Sequence, residues 1–357
     1  MHDRGRESAL GRAVHRLDPG DFAAVMATGI VSEAMHVEGL DVVSVPLLVL
    51  AAATYLVLVV ATAWRLARWP GAALSDAEDP ARGFGYLTFV AATGVLASRL
   101  AVDRHVAAAV ALVAVALVSW LALSYLVPAV LVLHRSDEPV LAGVTGGWFM
   151  WVVSAQSIAV GGADLARIVP RHPSLLLLSL TAWSVGVLLY LLVSALVVVA
   201  LLRRPVRPDS LTPAYWIFMG GTALSVLAGS RILQVATATP FDRMRPAVEG
   251  VSMLLWSFGT WLVPLLVVGS LWRHGRRGRH RTYEVGLWSV VFPLGMYAVA
   301  TSAFAGATGL PWLGAIGVGA AWVALATWAL VAAALVGSLS GAAVAVRTAG
   351  GSSRRRE

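Results

Sequence analysis

Long apolar segments recur along the whole chain and restrict its fold more than any other feature. Residues 106–133 and 175–202 are two examples. Each exceeds the roughly 20 residues that a helix needs to cross a lipid bilayer. Membrane β-strands alternate in polarity and are only about 10 residues long, which excludes a β-barrel. The sequence therefore predicts an all-α polytopic membrane protein.

Ten such spans are predicted, with short polar loops between them. They cover approximately residues 19–37, 42–64, 84–101, 105–132, 146–162, 174–202, 212–235, 246–271, 284–306 and 312–341. The loops and tails on the side of both termini hold 20 of the 27 arginines, and the opposite side holds 7. Because loops rich in arginine stay in the cytoplasm, we expect both termini to be cytoplasmic.

The domain organisation follows from these spans. We expect an Arg-rich N-terminal tail at 1–18, one transmembrane domain at 19–341, and a C-terminal tail at 342–357. Since the first apolar segment carries Glu33 and lacks a clear cleavage site, a cleaved signal peptide is not expected. A multi-pass protein of a bacterial-type inner (plasma) membrane is predicted.

Composition excludes several kinds of chemistry. Only 13% of the residues are charged, against about 25% in soluble domains. The chain has no cysteine, which excludes disulfides and thiol chemistry, and its basic residues are all arginine. The eight histidines lie in tails, loops or span ends. We therefore expect no enzyme activity, no cofactor, no metal and no nucleic-acid partner, and we assign the net charge of +8 to membrane orientation.

The spans are of two kinds. Even-numbered spans are plain Ala/Val/Leu helices, whereas odd-numbered spans carry Gly, Thr, Ser and Pro near their centres. Marker positions in successive odd spans lie 65, 63, 66 and 70 residues apart, at Thr28, Thr93, Gln156, Thr222 and Phe292. This spacing indicates five quasi-repeated helical hairpins, with the odd helices around a central pore. The alternative is that small residues only pack the helices closely.

The odd helices offer neutral polar groups to a passing anion. Hydroxyl and N–H donors replace part of its water, while the absence of a fixed charge avoids trapping it. The predicted lining residues are Thr28, Thr93, Gln156, Thr222 and Ser289. The predicted helix-shaping residues, at kinks, are Gly29, Gly94, Gly221 and Pro293.

Charged residues inside the spans are few. Glu33 lies about two-thirds of the way across the first span, and Arg99 and Arg231 lie near the outer ends of the third and seventh. Ionisable residues within a membrane are candidates for function. We expect either an outer vestibule in which the arginines attract anions, a proton site at Glu33, or a structural ion pair between Glu33 and one arginine.

The ninth span contains Phe292 followed by Pro293. Proline lacks an N–H and clashes with the preceding turn, so a kink is expected there. A phenyl group beside the kink is placed to project into the axis and close it. The alternative is a phenylalanine packed against a neighbouring helix.

Three segments resemble one known family. Residues 19–32 (PGDFAAVMATGIVS), 215–224 (YWIFMGGTAL) and 288–297 (WSVVFPLGMY) are similar to the first, seventh and ninth helices of the tellurite-resistance/C4-dicarboxylate transporter family, which includes the plant slow-type anion channels. The resemblance extends over about residues 15–342. The centre of the fifth span, residues 155–158, matches less well.

The resemblance implies ten helices as five hairpins around a pore, usually in a homotrimer. It implies chloride, nitrate, malate or sulfite as cargo and, by motif, Phe292 as the plug of the pore. The leading hypothesis is an anion channel or facilitative transporter gated by Phe292. Alternatives are a proton-coupled exporter of C4-dicarboxylate, sulfite or tellurite that uses Glu33, and a non-conducting anion sensor or scaffold.

Overall fold

The computed structural model describes residues 9–133, 140–169, 172–203, 205, 207–237, 239–276 and 283–353. This part of the chain is helical and contains no β-strand. Nine helices within it are long and apolar enough to cross a membrane. The prediction of an all-α polytopic membrane protein is confirmed.

Five pairs of helices form the body of the protein. Five inner helices alternate along the chain with five outer helices. The inner helices are α2 (Ala23–Val37), α5 (Leu87–Val102), α7 (Met150–Ile168), α9 (Ile217–Val235) and α11 (Trp288–Thr308). The outer helices are α3 (Asp41–Arg68), α6 (Val106–Leu133), α8 (Pro173–Arg203), α10 (Arg245–Arg276) and α12 (Pro311–Ser353).

The inner helices close into a ring. Along the circumference α2 contacts α5, α5 contacts α7, α7 contacts α9, α9 contacts α11, and α11 returns to α2. Each outer helix packs against the inner helix that precedes it in the chain. The inner helices thus enclose an axis, and the outer helices cover them.

Burial separates the two kinds of helix. In the most apolar 18-residue stretch of each outer helix, 17–22% of the residues are buried within the protein. In the same stretch of the four inner helices that are long enough to be compared, 56–94% are buried. The apolar side chains of the outer helices are therefore matched to lipid. The less apolar inner helices are shielded by protein, so their polar atoms need partners within it.

The first predicted span differs from the others. It is a 3-10 turn, Pro19–Phe22, followed by the 15-residue helix α2, and it is not among the nine candidate spans. A 15-residue helix is about 22 Å long, short of the roughly 30 Å hydrocarbon core. Since protein covers most of α2, the lipid thickness does not fix its length. The count of ten spans and the internal repeat stay predictions.

Two short helices lie beside the ring. Helix α1 (Ala9–His15) contacts α3, where the Nε atom of Arg65 donates to the His15 carbonyl at 3.2 Å. Helix α4 (Pro70–Glu78) follows α3 directly.

Part of the predicted tail at 1–18 is helical, because α1 lies within it, while residues 1–8 lie outside the described part. At the other end α12 runs to Ser353, past the predicted limit of 341.

Candidate functional site

A cavity of about 470 Å³ opens at the face where the five inner helices begin, which we call the entrance face. Every inner helix, or the 3-10 turn before it, contributes to the wall. The contributors include Gly20, Met26, Gly85, Thr88, Gly147, Met150, Ala214, Ile217, Gly286, Ser289 and Phe292. The cavity therefore lies on the axis of the ring, and Ser289 lines it.

Small residues occupy the rim of this cavity. The 3-10 turn directly before each inner helix provides one, namely Gly20, Gly85, Gly147, Ala214 and Gly286. Without large side chains the backbone comes close to the cavity. The positive ends of five helix dipoles also meet here, because all the inner helices begin at this face. The helix ends therefore add positive potential to the entrance.

Two arginines at the entrance are paired with carboxylates. Arg82 contacts Asp18 at 2.9 Å and Asp76 at 2.6 Å, and Arg65 contacts Asp76 at 2.5 Å. Burial lowers the pKa of Arg82, but the nearby carboxylates of Asp18 and Asp76 more than offset it and raise that pKa overall. Arg82 and Asp18 line the cavity. No sequence motif marks this network, since its members lie in a loop, in the residue before a 3-10 turn and near the ends of two helices.

Phe292 lies at the inner end of the entrance cavity. It lines the cavity and is 1% exposed. Its helix continues through Pro293, and both side chains face α9. A Cβ placed on Gly220 would lie 3.0 Å from Cγ of Pro293 and 3.6 Å from Cε1 of Phe292. Gly220 therefore provides the space that the Phe-Pro pair occupies.

A second, much smaller cavity of about 10 Å³ lies further along the axis. All five inner helices line it, with Ile30, Glu33, Gly94, Val95, Ser98, Ser157, Val160, Leu224, Leu227 and Met296. On each helix these residues follow those of the entrance cavity in sequence. The volume is about that of one water. The axis is thus narrow beyond Phe292.

Glu33, Arg99 and Arg231 lie toward the opposite end of the ring, which we call the far face. They do not line an open vestibule: Glu33 and Arg99 are each 1% exposed. The Nη2 atom of Arg231 lies 3.0 Å from Oε1 of Glu33, as expected of the ion-pair alternative. Arg99 instead contacts Asp103 at 2.5 Å and Ser44 at 3.2 Å.

Asp164 is a member of this group that the sequence analysis did not select. It is 1% exposed, accepts a hydrogen bond from Ser98 at 2.6 Å and lies 3.5 Å from Nε of Arg231. Its position inside a Gly-rich apolar span marks it as a candidate functional residue from the sequence alone. A sequence does not show, however, that the helix places this carboxylate beside Arg231, 67 positions later in the numbering.

Four of the five predicted lining residues line neither of the two cavities. Thr28 accepts a hydrogen bond from Trp328, Thr93 contacts Tyr55 at 2.9 Å, Gln156 donates to the Trp183 carbonyl at 3.2 Å, and Thr222 packs against Gly259. All these partners belong to outer helices. These four side chains thus face outer helices, since a central position along a helix does not specify the direction in which its side chain points.

Three predicted kink glycines lie where helices approach closely. A Cβ on Gly29 would be 2.8 Å from Val95, and one on Gly94 would be 2.8 Å from Ser157. Gly221 faces Tyr190 and Phe149. The α-helices are continuous through all three positions. The absence of a side chain there permits close packing around the ring, which is the alternative that the sequence left open.

Known proteins are similar to this chain in sequence. Residues 16–336 match the family described as SLAC1, voltage-dependent anion channel. An uncharacterized membrane protein of Mycobacterium tuberculosis is 45% identical over 152 residues, covering 43% of this chain and 77% of the relative. An uncharacterized transporter of Methanocaldococcus jannaschii is 23% identical over 323 residues, covering 87% of this chain and 90% of the relative.

The family match extends over nearly the whole ring of helices. It supports anion transport as the general function and confirms the family resemblance found in the three sequence segments. This chain belongs to the SLAC1 family of voltage-dependent anion channels.

Proposed function

We propose that this protein passes small anions along the axis of its inner helices and that Phe292 closes the path. The observation that carries the proposal is the entrance cavity, which all five inner helices line and which ends at the buried ring of Phe292. Phe292 lines this space of about 470 Å³, and one turn further along the same helix Met296 lines the space of about 10 Å³.

The chemistry of the entrance suits an anion. Ser289 brings a hydroxyl group to the wall, whereas the hydroxyl of Thr88 donates to the backbone carbonyls of Pro19 and Gly85. The positive ends of five helices point toward the same space. The arginine of the wall, Arg82, is neutralised by Asp18 and Asp76. Binding is therefore weak enough for the ion to leave again, as conduction requires.

The proposed setting is a bacterial-type inner membrane with both termini in the cytoplasm. The distribution of 20 arginines on one side against 7 on the other supports this orientation, which makes the entrance face cytoplasmic. Assembly as a homotrimer is proposed from the family resemblance, with lipid around the outer helices.

The test is Phe292→Ala in the purified full chain, reconstituted in liposomes and assayed for chloride and nitrate flux. We expect flux at least about tenfold above the wild type, since the substitution removes the ring that separates the two cavities. Phe304→Ala is the matched control, because Phe304 is also buried on α11 but lines neither cavity. Flux that is equal in the wild type and both variants would show that Phe292 is not the gate.

A second candidate is proton-coupled export of a dicarboxylate, sulfite or tellurite through Glu33. The supporting observation is that Glu33 is buried and lines the second cavity on the axis. This mechanism predicts uptake against a gradient when a pH difference is imposed, and its loss in Glu33→Gln. Currents that only follow voltage would reject it.

A further inference from the structure

The positions of the inner helices around the ring show which of them are neighbours. Helix α2 contacts α5 on one side and α11 on the other, whereas α9 contacts α7 and α11. Helices α2 and α9 are therefore separated around the circumference by α11 in one direction and by α5 and α7 in the other. Any direct side-chain bond between them has to reach across the interior.

Glu33 and Arg231 make such a bond. Glu33 is on α2 and Arg231 on α9, and the Oε1 and Nη2 atoms lie 3.0 Å apart. Glu33 also lines the small cavity on the axis. The ion pair thus crosses the path at the far face, one turn beyond Ile30 on α2.

Two other inner helices join the same network. Asp164 on α7 lies 3.5 Å from Nε of Arg231, and Ser98 on α5 donates to Asp164 at 2.6 Å. Four of the five inner helices are therefore tied together at this level. The side chains of Glu33, Asp164 and Arg231 are only 2%, 1% and 11% exposed, so the contacts are shielded from water and salt.

The bonding capacity of this network is not fully used. Nε of Arg231 and Oδ1 of Asp164 are buried and form no hydrogen bond among the described residues, although they face each other at 3.5 Å. A guanidinium carries five N–H donors in a planar fork suited to oxyanions and carboxylates. The unused Nε donor of Arg231 therefore suits a carboxylate and an oxyanion equally well.

We propose that Glu33, Asp164, Ser98 and Arg231 form a second closure, the far-face latch, in series with Phe292. The latch opens when a passing anion replaces Glu33 as the partner of Arg231, and Arg231 is thereby a selectivity residue for anions. This inference rests on the proposed function for its role in transport, but the closure itself is a property of the ring that can be measured without flux.

The first experiment measures anion flux in liposomes for the full chain with Phe292→Ala, alone and combined with Glu33→Gln. The latch predicts that the double variant conducts about tenfold faster than Phe292→Ala, because residues in contact within one network couple by amounts of this size. Proton coupling through Glu33 predicts the opposite, a loss of flux. Glu249→Gln in the Phe292→Ala background is the matched control, since Glu249 is exposed near the far face.

The second experiment does not depend on conduction. The chain has no cysteine, so Ser157→Cys introduces a unique thiol beside the second cavity, where Ser157 is 5% exposed. A membrane-impermeant, negatively charged thiol reagent is added at the far face with Phe292 intact. We expect Glu33→Gln to raise the labelling rate about tenfold and Glu249→Gln to leave it unchanged. Asp164→Asn is the second variant, and thermal unfolding checks that each protein is folded.

The outcomes separate the two proposals. Unchanged labelling in both Glu33→Gln and Asp164→Asn would overturn the latch and leave transport gated by Phe292 intact. Faster labelling with no anion flux in any variant would support the closure and overturn the proposed function. Faster labelling together with the larger flux of the double variant would support both.

Discussion

Trp328 donates a hydrogen bond of 3.1 Å from its indole Nε1 to the hydroxyl of Thr28, 300 residues earlier in the chain. The bond joins the last outer helix to the first inner helix and closes the circle of helices. Similar bonds cross the other four seams between an outer helix and the following inner helix. They join Tyr55 with Thr93, Ser124 with Trp151, Trp183 with Ser225, and Trp256 with Thr301.

Removal of the donor at this seam is expected to loosen the ring. Trp328→Phe keeps a large aromatic group but loses the N–H, and we expect the free energy of unfolding to fall by about 0.5–1.5 kcal/mol, the range typical of hydrogen bonds between membrane helices. Trp322→Phe, on the same helix but 52% exposed, is the control. The measurement is thermal or denaturant unfolding in detergent. Equal losses in the two variants would show that the bond contributes nothing specific.

Close packing of α5 on α7 depends on Gly94. An added Cβ would lie 2.8 Å from Cβ of Ser157, and overpacking of this kind typically costs about 1–3 kcal/mol. We expect Gly94→Ala to lower the unfolding temperature measurably. Gly319→Ala serves as the control, because nothing lies within 4 Å of its added Cβ. A Gly94→Ala protein as stable as the wild type would mean that the two helices separate at no cost.

Hydroxyl groups on the axis and at the seams are expected to differ in their effect on flux. In the Phe292→Ala background, Ser289→Ala removes a hydroxyl from the entrance cavity and should change nitrate-to-chloride selectivity by about two- to tenfold, the range of one hydrogen bond. Thr93→Val should leave selectivity unchanged, since its hydroxyl contacts Tyr55. Anion competition in one flux assay measures both. A large effect of Thr93→Val alone would show that the Thr93 side chain faces the axis.

The buried pair of Arg65 and Asp76 is expected to hold α4 against the bundle. The contact is 2.5 Å and each side chain is 6% exposed. Asp76→Ala leaves a buried guanidinium without its carboxylate, a change that costs about 3–5 kcal/mol. Proteolysis near residues 70–78 together with thermal unfolding measures it.

Two further variants check this assignment. Arg68→Ala, at an exposed position on α3, should leave stability nearly unchanged, because surface substitutions usually fall within about 0.5 kcal/mol. The double variant Arg65→Met/Asp76→Leu should recover most of the loss, since neither charge is then left buried. A double variant as unstable as Asp76→Ala would contradict a mainly electrostatic cause.

The sequence by itself determined the class of the fold and the family. Long apolar runs require membrane-spanning helices because lipid offers no partner to exposed backbone groups. The contrast between plain and Gly/Thr/Ser-rich spans correctly predicted which helices lie inside, since buried helices need not match lipid. The sequence also suggested Ser289 as a lining residue and an ion pair between Glu33 and an arginine as one of three alternatives.

Only the tertiary structure decided where each inner side chain points. Neighbouring helix positions differ by about 100°, so Thr93 faces an outer helix whereas Gly94 faces α7 and the second cavity. Thr93 and Gly94 belong to the same segment, so its composition does not tell which way either side chain points. Likewise, the closeness of Asp164 to Arg231 depends on the order of the helices around the ring. That order results from packing between distant segments, which no local pattern in the sequence records.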